Sequence, residues 1–189
     1  MSFQVLVIPE DPTYNGYILT PLVSRILAEC GKAKAKVKML DNPKVSGIAH
    51  VFSLLPDIVE RYAHFDLLLL LVDADGRDRS GQFERFEAAA AARLARPVRL
   101  ICCAAVQEVE AWLLAGHTAR LGRPWSEVRA DVSVKENIFE GFLSQFGDPR
   151  TPGGGRDALM KETLSNYRGL LKLCPEVAEL QEKVCDGLP

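Results

Sequence analysis

The segment Leu67-Leu68-Leu69-Leu70-Leu71-Val72 constrains this chain more than any other: six consecutive apolar residues that stop abruptly at Asp73-Ala74-Asp75-Gly76. A membrane span needs roughly 20 apolar residues, so the run is too short to cross a bilayer. It also lacks the alternation of a strand with one wet face. It therefore reads as a strand buried on both faces, the kind found inside a parallel sheet. Shorter strand candidates at 3–8, 36–40 and 97–104 alternate with helical spacing at 16–28, 51–62, 81–94 and 106–115. Parallel strands need crossover connections, which are usually helices. The expected class is thus α/β, a three-layer parallel sheet of Rossmann-like type with helices on both faces.

Beyond Gly116 no further apolar strand follows, and 134–146, 156–171 and 176–184 read as helices. The expected organisation is an α/β domain over 1–117 with a helical C-terminal extension over 118–189 packed on the same domain; 189 residues suit one core. Hydrophobic residues at 48% and charged residues at 25% argue against disorder and against a coiled coil. A net charge of −2 provides no global field for a polyanion, so a nucleic-acid partner has to meet a local patch. The N-terminal apolar stretch has no basic residues before it and reads as a strand rather than a signal peptide. On that reading the protein is expected to be cytoplasmic, and five cysteines at irregular spacing form neither a disulfide framework nor a zinc pattern, so all five are expected to be reduced.

Ligands of open parallel sheets bind beyond the carboxyl ends of the strands, and acidic residues cluster at three such ends. Glu10 and Asp11 follow the first strand, Asp73 and Asp75 the third, and Glu108 and Glu110 open the helix after the fourth. On an extended backbone Asp73 and Asp75 point the same way. Two carboxylates at one point are tolerable if a cation or a shared proton offsets their repulsion, and hard oxygen ligands favour Mg²⁺ or Mn²⁺. Helical angles place Glu110 on the apolar side with Val106, Val109, Leu113 and Leu114, and Glu108 on the opposite side. The bland readings are a capping carboxylate at Glu110 and an Asx turn at Asp73-Ala74-Asp75-Gly76.

Arg77 and Arg79 follow directly and can steady a phosphate, or form surface salt bridges. Lys32, Lys34, Lys36 and Lys38 can track a phosphate backbone but more simply protect an edge strand. The Pro- and Gly-rich stretch 147–155 reads as the most mobile loop. It lacks the Gly-Lys-Ser/Thr ending of a nucleotide-binding loop, and a hinge bringing Arg156 or Lys161 to the site is the other reading. His50, His64 and His117 are scattered, while Trp112 and Trp125 read as packing residues.

Taken in order, IPEDPTYNGYIL, LLLLLVDADGRD and AAVQEVEAWLLAG resemble the Toprim-like proteins, in particular the bacterial DUF4276 group. Toprim domains carry a Glu after the first strand and a DxD motif after the third, matched here by Glu10 and by Asp73 and Asp75. The group's E-x-E-x-W segment is matched by Glu108-Val109-Glu110-Ala111-Trp112. The resemblance spans about residues 3–116 and implies metal-dependent phosphodiester chemistry, that is, a nuclease acting on DNA or RNA. Glu10, Asp73 and Asp75 would be catalytic metal ligands for Mg²⁺ or Mn²⁺, and Glu110 a fourth. Related Toprim-like groups are encoded beside ATPases in phage-defence systems, so the resemblance also implies an ATPase partner. The rival expectation is a non-catalytic Toprim-like subunit acting through protein partners. A receiver domain fits poorly, since no fifth strand ending in Lys is found.

Overall fold

The computed structural model describes residues 2–94 and 98–188. Four strands, β1 (Gln4–Pro9), β2 (Lys36–Met39), β3 (Leu67–Asp73) and β4 (Arg99–Ala105), form one parallel sheet in the order β2-β1-β3-β4. β3 lies inside, paired with β1 from Val5 opposite Leu67 to Pro9 opposite Leu71, and with β4 from Leu67 opposite Arg99 to Asp73 opposite Ala105. All seven β3 residues are buried, as an unbroken apolar run requires. Pro97, expected to open the fourth strand, lies outside the described residues.

Successive side chains of a strand point to opposite faces, and the two cores divide by that rule. Val5, Val7, Leu69, Leu71 and Ile101 face one core; Leu6, Ile8, Leu68, Leu70 and Leu100 face the other. Helices α2 (Ile48–Arg61) and α3 (Ser80–Arg93) cover the second face. Helix α1 (Gly16–Glu29) covers the first, burying Ile18, Leu19, Leu22, Val23, Ile26 and Leu27 at helical spacing.

The first face is also where the C-terminal half packs. Helix α4 (Glu110–Leu114) runs into a 3₁₀ turn, and α5 (Trp125–Ala130) follows. A π turn (Lys135–Phe139) leads into α6 (Glu140–Phe146), and a 3₁₀ turn (Pro152–Gly155) into α7 (Arg156–Ser165). α8 (Tyr167–Leu173) and α9 (Pro175–Gly187) complete the chain. Trp112, Phe139, Met160, Leu170 and Val177 share a single core with α1, so residues after 117 are structurally continuous with those before it. The helix expected over 156–171 is broken at Asn166, whose φ of −114° and ψ of 58° leave the helical region. Its side chain caps α8 by accepting a hydrogen bond from Gly169 N–H at 3.2 Å.

Two expectations require correction. Cys30, at the end of α1, is bonded to Cys185 on α9, with Cα atoms 5.0 Å apart and a sequence separation of 155. The five cysteines are therefore not all reduced; Cys102, Cys103 and Cys174 are free and buried. A pairing made by two helix ends meeting across the fold leaves no local spacing to read. In the chain-entropy view, a loop this long makes such a bond worth about 5 kcal/mol. Among the described residues no helix is long and apolar enough to cross a membrane. The second correction concerns 147–155, expected as the most mobile loop, which packs as a close turn. A Cβ on Gly155 would come within 2.7 Å of Gly147 Cα, and one on Gly153 within 2.5 Å of the Tyr17 ring.

The row of lysines divides. Only Lys36 and Lys38 lie on β2, one of the two edge strands, and Lys38 pairs with Asp41 at 3.2 Å. That arrangement matches edge protection.

Candidate carboxylate site at the strand ends

From β1 the chain leaves through α1 towards β2; from β3 it leaves through α3, on the opposite face, towards β4. The two exits diverge, and a crevice opens between the carboxyl ends of these neighbouring strands. Glu10 is the first residue after β1 and Asp73 the last of β3, so the strand order alone brings these two carboxyls to the crevice.

They meet there closely. The Asp73 and Glu10 carboxyls interact directly, and the Asp73 carboxyl is pushed up to about 9, by burial first, then by the charges of Glu10 and Glu110. The Glu10 carboxyl is also raised, by burial first, with the charge of Asp75 adding to the effect; the Asp73 contacts and Arg79 oppose it. Glu10 Oε2 is buried and has no hydrogen-bond partner. Asp73 is held more firmly: its Oδ1 accepts the Val109 N–H at 2.8 Å, and its backbone oxygen accepts Arg79 Nε at 2.9 Å. Around the rim, Asp11 Oδ1 accepts the Thr13 N–H at 2.8 Å and shapes the loop after β1. The Gly47 N–H donates to the Glu10 carbonyl at 3.1 Å.

Asp75 does not join them as expected. Its φ of 50° is left-handed, so the period-two argument that aligned it with Asp73 fails one residue past the strand end. Its half-exposed carboxylate pairs with Arg79 at 3.2 Å, while its charge still reaches Glu10. Arg79 is itself buried and committed to Asp73 and Asp75, its guanidinium 5.8 Å from the Phe52 ring centroid. Arg77 is exposed and lines a cleft of about 310 Å³ at the free edge of β4, with Glu87, Glu176 and Lys183 among its walls. The two expected phosphate-binding arginines are thus a strand-end brace and a residue of a different cleft.

Glu110 is 1% exposed and Glu108 is only partly buried, the expected ranking, but the cause differs. Gln107 has a φ of 68°, the helix starts at Glu110 rather than 106, and all five α4 residues are buried. The Glu110 carboxyl is raised by burial, with Glu10 contributing, while Lys135 and Arg156 draw it down. Glu108 is instead a brace: its Oε2 accepts the Lys135 N–H at 2.6 Å, and burial pushes its carboxyl up to about 7.

The donor set suits a hard cation. Glu10 and Asp73 are crowded carboxyls, and a buried Glu10 oxygen has no partner. Among the described residues no three His, Cys, Asp or Glu side chains are arranged as a metal cage, so Glu110 is not a third ligand alongside them. Mg²⁺ does not require such a cage, since it is usually bound by one or two carboxylates, with waters and substrate phosphates completing its octahedron. The pair fits that pattern.

Sequence reasoning missed Arg156 as a fixed group whose charge reaches Glu110, treating it only as a residue that a hinge could deliver. Its guanidinium carbon lies 4.6 Å from the Tyr14 ring centroid and 5.3 Å from that of Phe139. Lys161, the alternative, pairs with Asp157 at 2.7 Å. The available signal was the aromatic at 14, close after Glu10, but nothing local links it to a residue 142 positions on. Compared with known proteins, the chain matches no family model, no curated protein and no solved structure.

Proposed function

We propose that this chain is a divalent-metal-dependent nuclease domain of Toprim-like type, in which Glu10 and Asp73 hold Mg²⁺ or Mn²⁺ and a nucleic-acid phosphodiester is the bond cut. The observation that carries the reading is the contact of these two carboxyls at the β1–β3 crevice, with Asp73 pushed up to about 9. A protein does not crowd buried acids without a compensating proton or cation, and strongly shifted carboxyls mark candidate sites. A bound ion would supply charge neutralisation at the phosphate and an activated water.

The chain's own groups divide the remaining work. The Val109 N–H fixes Asp73 Oδ1 and so holds the carboxyl at the crevice. Glu10 Oε2, unpartnered, is the group placed to take a proton from water entering the crevice. Asp75 and Arg79 brace the exit of β3 rather than contact the substrate. Glu110, buried, has a charge that reaches the pair and favours a cation there. An ATPase partner belongs to the proposal through the Toprim-like resemblance, and a cytoplasmic site of action through the N-terminal segment that reads as a strand rather than a signal peptide.

The rival is a Toprim-like subunit without activity, acting through protein partners. It is favoured by one observation: the pair is not completed by a third ligand among the described residues. Supercoiled plasmid DNA and single-stranded RNA, incubated with the protein and Mn²⁺, separate the two. The nuclease reading expects cleavage that EDTA stops and that Glu10→Gln or Asp73→Asn reduces by roughly a hundredfold or more, as loss of a metal-centred charge term does. Wild-type rates in both variants would remove Glu10 and Asp73 from the chemistry.

A further inference from the structure

Arg156 combines features that a purely structural arginine rarely has together. It is the first residue of α7, set by the glycine turn before it, in which Gly153, Gly154 and Gly155 all have positive φ. Only glycine takes three such positions without strain, and the packing of Gly153 on Tyr17 and of Gly155 on Gly147 fixes the turn against the start of α1. The guanidinium is then set between the rings of Tyr14 and Phe139. Such stacking immobilises the plane of the fork.

The edges are not used up. Nη1 donates to the Gly153 carbonyl at 2.8 Å, which accounts for one side of the fork. Nε is buried without any partner. Among the described residues Arg156 forms no ion pair, although its charge reaches the buried Glu110. Nη2 has no partner and, unlike Nε, is not sealed from solvent, so it can donate a charge-assisted hydrogen bond to an incoming phosphate oxygen. Arg79 and Arg77 offer no equivalent: the first is bound to Asp73 and Asp75, and the second lines the cleft at the β4 edge.

We infer that Arg156 is the anion-binding residue of the carboxylate site, donating from Nη2 to a non-bridging oxygen of a substrate phosphate. This rests on the nuclease reading for the identity of the substrate, a nucleic-acid phosphodiester. It makes the helical C-terminal extension a contributor to the site: the α/β part supplies the acids and the extension supplies the cation that holds the phosphate. The extension thus does more than cover one face of the sheet.

The test uses the full chain as wild type, Arg156→Lys and Arg156→Gln, with thermal unfolding as a check that each is folded. Inorganic phosphate is titrated calorimetrically with and without Mn²⁺, Mn²⁺ is titrated alone, and cleavage of plasmid DNA is followed. Arg156→Gln should weaken phosphate binding roughly ten- to hundredfold, the range for losing a charge-assisted hydrogen bond, and Arg156→Lys by less. Mn²⁺ affinity should be unchanged in both, and the KM for DNA should rise more than kcat falls. Phosphate binding that is absent from the wild type, or equal in Arg156→Gln, overturns the inference. So does a parallel loss of Mn²⁺ affinity, which would make Arg156 a counter-ion to Glu110 alone. Arg156-dependent phosphate binding in a protein that cuts no nucleic acid would support the anion site and overturn only the nuclease reading.

Discussion

Two sets of buried or half-buried carboxylates lie in this molecule, and they are built in opposite ways. Glu176, at the start of α9, is met on every side by donors: Arg129 Nη1 and Nη2 at 2.7 and 2.9 Å and Trp112 Nε1 at 2.8 Å, with the Val106 N–H further off at 3.4 Å. It ties α5, α4 and α9 into one unit, and the site is complete as it stands. Glu10 and Asp73 are met chiefly by one another. One Glu10 oxygen has no partner, and a third acid, Glu110, lies near enough to raise Asp73 further. The first arrangement is what a chain does with a carboxylate that serves the fold, and the second is what it does with carboxylates awaiting something else. The contrast separates structural from functional acids without reference to their exposure, since both sets are largely withdrawn from water.

The largest effect that would test this contrast is on stability at the satisfied site. Glu176→Gln leaves Arg129, whose side chain is 18% exposed, without its counter-charge. The loss should be about 2–3 kcal/mol, below the range for a wholly buried pair because some solvent reaches this one. Urea unfolding reads it directly. Asp73→Asn should show no such loss, since an amide oxygen can still accept the Val109 N–H while the repulsion is gone. Similar destabilisation in both variants would mean that the two sites do not differ in kind.

A smaller effect sharpens the same comparison through pH. In the unfolded chain Asp73 releases its proton near its ordinary value of 3.8, whereas in the folded metal-free protein it holds it to about 9. Between those values the folded state binds more protons, so this group's contribution to stability falls as pH rises through the window. Glu10 and Glu110, also raised, act in the same direction. Asp73→Asn should flatten the decline without abolishing it, leaving the variant's Tm roughly 3–6 °C above wild type at the alkaline end. An unchanged slope, or a lower Tm, would show that Asp73 is not under the strain described here.

How much of this was legible in the sequence depended on distance along the chain. Leu67 to Val72 ending at Asp73 fixes a buried central strand and an acid at its exit, because burial on both faces leaves no other pattern. Glu10 was legible for the same reason, as the residue after a short apolar strand. The burial of Glu110 relative to Glu108 was foreseen through a helix phase that the chain does not adopt. The left-handed Gln107 delays the helix, and Glu110 is buried because all of α4 is. Asp75 was misread because periodicity describes a strand and stops where the strand does. The Cys30–Cys185 bond, the Arg129–Glu176 pair and the placing of Arg156 all join segments far apart in the chain. Only the packing of the tail onto α1 and α4 decides them.

The central claim is that the Glu10–Asp73 pair is a cation site, and calorimetric titration of Mn²⁺ into the metal-free protein addresses it most directly. At neutral pH the pair retains a proton that a cation must displace. The account therefore predicts a single-site isotherm whose heat changes with the ionisation enthalpy of the buffer, lost in both Glu10→Gln and Asp73→Asn but kept in Glu176→Gln. Mn²⁺ binding of equal strength in Glu10→Gln and Asp73→Asn, or none in the wild type, would contradict it.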